Sequence, residues 1–399
     1  MDDEQAATPT LDPATFDRLK SRLAAEGPAA AVNALIAELR QAEDYSALFY
    51  ALLMKKRVEL GVAPFPTGSS AELPVHTHEP YEQAIRDAGR EVGGLFLQKG
   101  DVPRAWNFFR MLGEPDPVRE ALEKFQPSDD DDIYPIIEVA WQGGVLPKKG
   151  FDLILARHGV CSAITTVSSS DLNSNPDLRD HCIGKLVHAI HEQLTERVKA
   201  DLEARGNTVP ADITLGRMVA GHPELFHEDS YHIDTSHLSS VCQMSMYLPK
   251  GQENDLAREL CEYGRKLAPN IRGGGGDAPF EDTYEDFLAF LNVVAGVNVD
   301  EGLARFKMKA EREAAEGASY AAQIYVNLLL RADRVKEALD AAKALLANED
   351  ERSLICPSVP ELAKRLNDFK SMAEVARLRH DAVGFLAGLI AGSGIYQVK

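Results

Sequence analysis

YEQAIRDAGREVGGLFLQKGDVPRAWNFFRMLGEPDP, residues 81–117, is the stretch whose reading decides the fold. It lies inside a helical pattern that runs from Pro80 to about Phe125. Two helices are expected, the first carrying Gly93 and Phe96 and the second Ala105 and Phe109. Small residues at Gly93 and Ala105 let two helices approach closely, and the two aromatic rings fill the space beside them.

The same residues resemble a tetratricopeptide repeat. Gly93 and Phe96 stand where that family places a glycine and an aromatic, Ala105 and Phe109 follow at the family spacing, and Pro117 closes the unit. Gly89 stands where the family has tryptophan. A second segment, ASYAAQIYVNLLLRADRVKEALDAAKALLA (318–347), is similar through Ala338 and Ala342, with Val326 in place of the family glycine. The resemblance implies a superhelix of helical hairpins, with further helices stacked between the two segments because a repeat cannot bury its faces alone. It also implies a groove that binds a protein partner.

Outward from this segment the helical signal continues. Leu19, Leu23, Val32, Leu35, Ile36 and Leu39 recur at helix spacing from Asp12 onward, followed by Leu48, Leu52 and Leu53. A Pro/Gly-rich break covers 62–76, and SDDDD at 128–132 precedes IYPIIEVAWQ as a hinge or helix start. The abundance of Ala, Leu and Glu over Val and Ile favours helix over sheet. The expected class is all-α: a tail (1–11), an N-terminal helical-repeat region (12–128), a histidine-rich centre with long loops (129–300) and a C-terminal helical-repeat region (301–399).

A net charge of −19 repels phosphates, so neither nucleic acid nor an anionic membrane surface is an expected partner. The five cysteines are widely spaced and odd in number, which argues against a disulfide framework and for a reducing cytoplasm. The acidic start MDDEQAATPT offers no apolar stretch for a signal peptide, and no run of apolar residues is long enough for a membrane span.

The chemistry is expected in GHPELFHEDSYHIDTSHLSS (221–240). His222, His227, His232 and His237 stand five apart there, beside Glu224, Glu228, Asp229 and Asp234, in a chain with only 11 histidines. Imidazoles and carboxylates are ligands for a divalent metal ion, zinc first, with iron, manganese or nickel also suited. Asp234 is placed to cap a helix over 235–248 whose buried stripe is Leu238, Val241, Ser245 and Leu248. His232 and His237 then flank the helix start as the leading ligands, with Asp234 beside them. A capped helix with two hydrogen-bonded histidines is the plainer account of the same residues.

A second helix, 176–205, starts at a proline and ends before a glycine. Ile183, Val187, Ile190 and Leu194 form its apolar stripe, His181, His188 and Glu192 the opposite face, and His191 lies between. His188 and His191 are further candidate ligands, although a solvated polar face accounts for them equally well. No H-E-x-x-H or H-x-x-E-H pattern occurs. Glu192 or Glu228 could move a proton, and Tyr231 could donate to an oxyanion. His158 ends a helix capped by Gly159, and Cys161 and Cys182 are more commonly structural than nucleophilic. The stretches 161–176, 205–213 and 221–234 are expected to be irregular, and GGGG at 273–276 to be a linker.

Three functions fit these residues. One is a metal-dependent hydrolase or lyase acting on a small polar substrate. Another is a non-haem iron oxidoreductase, because His/carboxylate sets suit iron equally. The third is a non-catalytic helical scaffold that binds a protein partner.

Overall fold

The computed structural model describes residues 11–66, 73–128, 132–227, 229–272 and 275–393. Nearly all of the expected tail, Glu228, the middle of the acidic run and Gly273–Gly274 of the glycine run lie outside the described residues. The described residues are helices, turns and loops with no strand, so the all-α class holds.

The chain divides into two compact units, Met1–Ile154 and Leu155–Lys399. The first contains α1 (Pro13–Glu26), α2 (Pro28–Gln41), α3 (Tyr45–Glu59), α4 (His78–Gln98), α5 (Val102–Leu112), α6 (Asp116–Lys124) and α7 (Tyr134–Ile137), which continues as a π turn over Glu138–Gln142. Helix α8 (Pro147–Ser169) carries the chain from the first unit into the second. The second holds α9 (Pro176–Ala204), α10 (Leu215–Gly221), α11 (Thr235–Met244), α12 (Gln252–Gly264), α13 (Thr283–Ala295), α14 (Val299–Ala315), α15 (Tyr320–Arg331), α16 (Val335–Leu345), α17 (Val359–Leu366), α18 (Phe369–Leu378) and α19 (Ala382–Gly392).

In the first unit each of α1 to α5 packs on the next, as in a stack of hairpins. The α4/α5 contact is as close as the sequence implies: a Cβ on Gly93 would stand 2.7 Å from Cε2 of Phe109. Ala105 is buried, and Phe96 lies between Tyr45 and Phe108 at ring distances of 5.4 and 5.9 Å. In the second unit α13 to α19 also pack in succession, with Ala338, Ala342 and Val326 all buried.

One turn recurs at the hairpins. A residue in the left-handed region ends one helix: Glu43, Gly100, Asp333, Asn367 and His380. The next residue then donates its backbone N–H to a carbonyl in the last turn: Asp44 to Leu39, Asp101 to Phe96, Arg334 to Leu329, Asp368 to Ala363 and Asp381 to Ala376. This 6→1 bond is the Schellman closure. Four of those residues are aspartates, and each also accepts from the first turn of the following helix. One short connection thus stops a helix and starts the next, which sends the chain back antiparallel.

Two differences from the sequence reading have local causes. Residues 161–169 are helical rather than irregular. Their hydroxyls bond back along the helix, Thr165 to the Cys161 carbonyl (3.0 Å) and Thr166 to that of Ser162 (2.8 Å), while Ala163 and Val167 are buried. Gly159 (φ 77°, ψ −179°) breaks α8 with nearly the torsions of Gly27 (φ 87°, ψ −179°) between α1 and α2. The helix of 235–248 ends at Met244 and continues as a 3-10 turn over Ser245–Tyr247, with its expected stripe wholly buried.

The second unit also contains a buried ion network with no obvious sequence signal. Asp286 of α13, wholly buried, accepts from Lys309 Nζ (2.7 Å) and Arg305 Nε (2.7 Å) of α14. Lys309 also donates to the Pro279 carbonyl (2.7 Å) and to Glu281 (2.6 Å). These bonds tie the segment before α13 to α14 and leave no charge in the group unpaired.

Candidate functional site

Helix α9 is the axis of the histidine-rich region, with α10, α11 and α12 packed against it. It buries Ile183, Val187, Ile190 and Leu194, the stripe read from the sequence, and also Cys182, Leu186, Val198 and Leu202. His188 and Glu192 are exposed, as a polar outer face requires, and His191 is half-buried.

His232 is the most enclosed of the candidate ligands, its side chain 9% exposed. Its Nε2 lies 3.1 Å from Oδ2 of Asp201 on α9, and its Nδ1 lies 2.9 Å from the Tyr263 hydroxyl on α12. The backbone N–H of His232 donates to that same hydroxyl at 2.8 Å. One tautomer satisfies every group: Nε2–H donates to the carboxylate, and the phenol donates to Nδ1 while accepting from the amide. Arg205 bonds Asp201 at 2.9 Å. That contact holds the carboxyl below its usual range, with the His232 bond adding to the effect against burial. Burial pushes the Tyr263 phenol up to about 12, so it stays a donor.

Two other histidines are also hydrogen-bonded to carboxylates. His191 Nε2 meets Glu259 of α12 at 2.8 Å, and His222 Nδ1 meets Glu224 at 2.8 Å. His188 Nε2 stands 3.6 Å from Glu253, beyond hydrogen-bond reach. Burial opposes ionisation of Glu259, but the bond from His191 and contacts from the α10 start hold its carboxyl low. The pairs 188/253, 191/259 and 201/263 (through His232) fall in the same order along α9 and α12, so the two helices run the same way past each other, stitched by imidazoles.

Asp234 caps α11, accepting from the backbone of Ser236 (2.9 Å) and His237 (3.2 Å) and from the Ser236 hydroxyl (2.6 Å). The Ser236 bond, then the His237 amide, lower its pKa. His237 is half-buried in that first turn, while Tyr231 is 60% exposed and His227 is exposed. Glu138 and His158 are exposed, as is Cys161, whereas Cys182 is buried.

The structure therefore does not gather the proposed ligands. Both ring nitrogens of His232 are engaged by protein partners, the Asp234 carboxylate is spent on a helix start, and His191 faces Glu259. Among the described residues no three His, Cys, Asp or Glu side chains come together in a way that could hold a metal ion. Glu228, the remaining carboxylate singled out in that segment, lies outside the described residues. The partners that sequence reading missed, Asp201, Glu259 and Tyr263, lie 31 and 68 residues from their histidines, beyond any local spacing rule.

The first unit offers a different kind of site. A cavity of about 280 Å³ is lined by Ser46, Phe49 and Tyr50 of α3, Phe96 of α4, and Arg104, Asn107, Phe108 and Met111 of α5. Phe49 and Phe108 meet edge to face at 5.2 Å, and the Arg104 guanidinium lies 5.0 Å over Phe96. Tyr50 and Met111 remain 70% and 55% exposed at its rim.

No protein-family profile, curated protein or solved structure matches this chain. Among the described residues no helix is long and apolar enough to cross a membrane.

Proposed function

We propose that this chain is a tetratricopeptide-like helical-repeat protein that binds a partner polypeptide, with the α3/α4/α5 groove as its receptor surface. The observation that carries the reading is the groove itself: aromatic walls, an exposed Tyr50 and Met111, and the amide of the exposed Asn107 beside them. Large apolar side chains left in solvent at a concave site mark a place where another apolar side chain is buried. Asn107 supplies both a donor and an acceptor, which is what an extended peptide backbone needs. The occupant is thus a peptide segment that inserts one apolar or aromatic side chain and bonds its backbone to Asn107.

The test is selection of random 12-residue peptides against the full chain. Enriched sequences should share an apolar anchor and lose binding with Tyr50→Ala and with Asn107→Ala. Binders indifferent to both changes, or no enrichment at all, overturn the proposal.

A second reading keeps the centre as a metal-dependent hydrolase or lyase acting on a small polar substrate. It is supported by the four evenly spaced histidines and by Glu228 among them. Elemental analysis of protein purified without a chelating tag decides it. About one equivalent of metal, lost in His232→Ala and His237→Ala, would favour this reading, and no bound or titratable metal removes it.

A further inference from the structure

In the second unit a cavity of about 470 Å³ is lined by Arg179 and Asp180 of α9, Tyr247, Pro249 and Lys250 of the segment after α11, Val294 of α13 and Arg331 of α15. Four parts of the chain bring three cations and one carboxylate to one cavity, in a protein whose net charge is −19.

Two of the three cations are not consumed by ion pairing. Arg179 pairs with Asp180 at 3.0 Å and lies 5.0 Å over the Tyr247 ring. Among the described residues, neither Lys250 nor Arg331 has a carboxylate at ion-pair distance, although the chain carries 62 acidic residues. Arg331 is held in place without one. Its guanidinium donates to the carbonyls of Met246 and Leu248 and lies 5.7 Å over the Phe290 ring. Those contacts fix its position without an ion-paired carboxylate, and Asp180 acts on it only from beyond ion-pair distance. Burial, then Arg179, push its pKa down to about 10 against the opposing charge of Asp180, so it remains a cation at neutral pH in a setting that disfavours one. One carboxylate among three cations leaves room for a further anion beside this half-buried guanidinium.

We propose that the cavity between Arg179, Lys250 and Arg331 is a binding site for a phosphomonoester group. The lining has a surplus of two positive charges. A phosphomonoester carries about −1.5 to −2 at pH 7, whereas a carboxylate carries a single charge. A guanidinium carries five N–H donors, so Arg179 and Arg331 keep donors for phosphate oxygens beyond those bonded to Asp180 and to the Met246 and Leu248 carbonyls, and Lys250 adds an ammonium on an exposed side chain. Tyr247, Pro249 and Val294 leave an apolar wall for the body that bears the phosphate. This site lies in the second unit and is independent of the peptide groove in the first.

The test is titration calorimetry of the full chain at low salt with inorganic phosphate, O-phospho-L-serine, glucose 6-phosphate and acetate. One-site binding of at least one phosphate probe is expected, with acetate weaker by about ten-fold or more. Lys250→Met, at an exposed position, should weaken binding about ten-fold without moving the thermal midpoint, and Arg331→Met should abolish it. Should Arg331→Met fail to fold, Lys250→Met and Arg179→Gln carry the test. The source is read from the order of the probes: the amino-acid ester tightest points to a phosphorylated segment, the sugar ester to a small metabolite, and inorganic phosphate equal to both to the free ion. No saturable binding, acetate as tight as phosphate, or affinity unchanged in Lys250→Met overturns the proposal.

Discussion

His232 and Asp201 meet at 3.1 Å across 31 residues of chain, and the same imidazole reaches Tyr263 with its other nitrogen. Removing the ring leaves a half-buried carboxylate with Arg205 alone and a buried phenol without its acceptor. His232→Ala should therefore lower unfolding free energy by about 1–3 kcal/mol. A double-mutant cycle with Asp201→Asn, read by urea unfolding, should give a coupling above about 0.5 kcal/mol. Simple additivity of the two changes would show that the contact stabilises nothing.

Acid should loosen the fold through its carboxylates. Asp201, Glu224 and Glu259 are each held below their ordinary values, and Glu281 is held at about 2 against 4.5. For Glu281 burial opposes the shift and the bonds from Lys309 and Arg312 impose it. A depressed folded pKa contributes stability that is complete above the unfolded value and disappears as pH falls through the folded one. The thermal midpoint should thus drop from about pH 4.5 downward, and Glu281→Gln should flatten that limb between about 4.5 and 2. An acid limb of the same slope in the variant would refute this assignment.

Gly93 faces the Phe109 ring so closely that a methyl group would overlap it by van der Waals measure, at 2.7 Å. Gly93→Ala should cost about 1–3 kcal/mol by pushing α4 from α5, despite alanine's higher helix propensity. Pairing it with Phe109→Leu should recover part of the loss. A gain in stability from Gly93→Ala alone would mean that the hairpin is looser than described.

The network around Asp286 predicts the largest single loss. Asp286→Ala removes the buried carboxylate that both Lys309 and Arg305 meet, leaving the 7% exposed Lys309 with Glu281 and the Pro279 carbonyl, and should destabilise by about 3–5 kcal/mol in denaturant titration. Replacing both, Asp286→Leu with Lys309→Met, should cost less than Asp286→Ala alone. The reverse order would show that the pair stabilises in its own right.

Periodicity and helix-end chemistry made the helices legible. The stripe of α9, the Asp234 cap of α11 and the small residues of the α4/α5 hairpin all follow from spacing and residue type within one or two turns, and all stand in the structure. The left-handed turns have an equally local cause that helical spacing does not reveal, an aspartate after the helix-ending residue at 44, 101, 368 and 381. The helix at 161–169 was hidden because Ser and Thr usually signal a loop, and only their back-bonding and the burial of Ala163 and Val167 reverse that preference.

The candidate site belongs to the tertiary structure. Four histidines five residues apart look like one ligand set along the chain. In space two of them pair with different carboxylates, His222 with the neighbouring Glu224 and His232 with Asp201 of α9, while His191 of α9 meets Glu259 of α12. Arg179, Lys250 and Arg331 look unrelated in sequence and line one cavity. The sequence by itself determined the helical class, the buried stripes and several helix starts and caps, because those choices are made by hydrogen bonds and spacings within a few residues. Which imidazole meets which carboxylate, and which cations share a cavity, depended on how helices far apart in the chain come to pack, a choice set by shape and burial that no local spacing encodes.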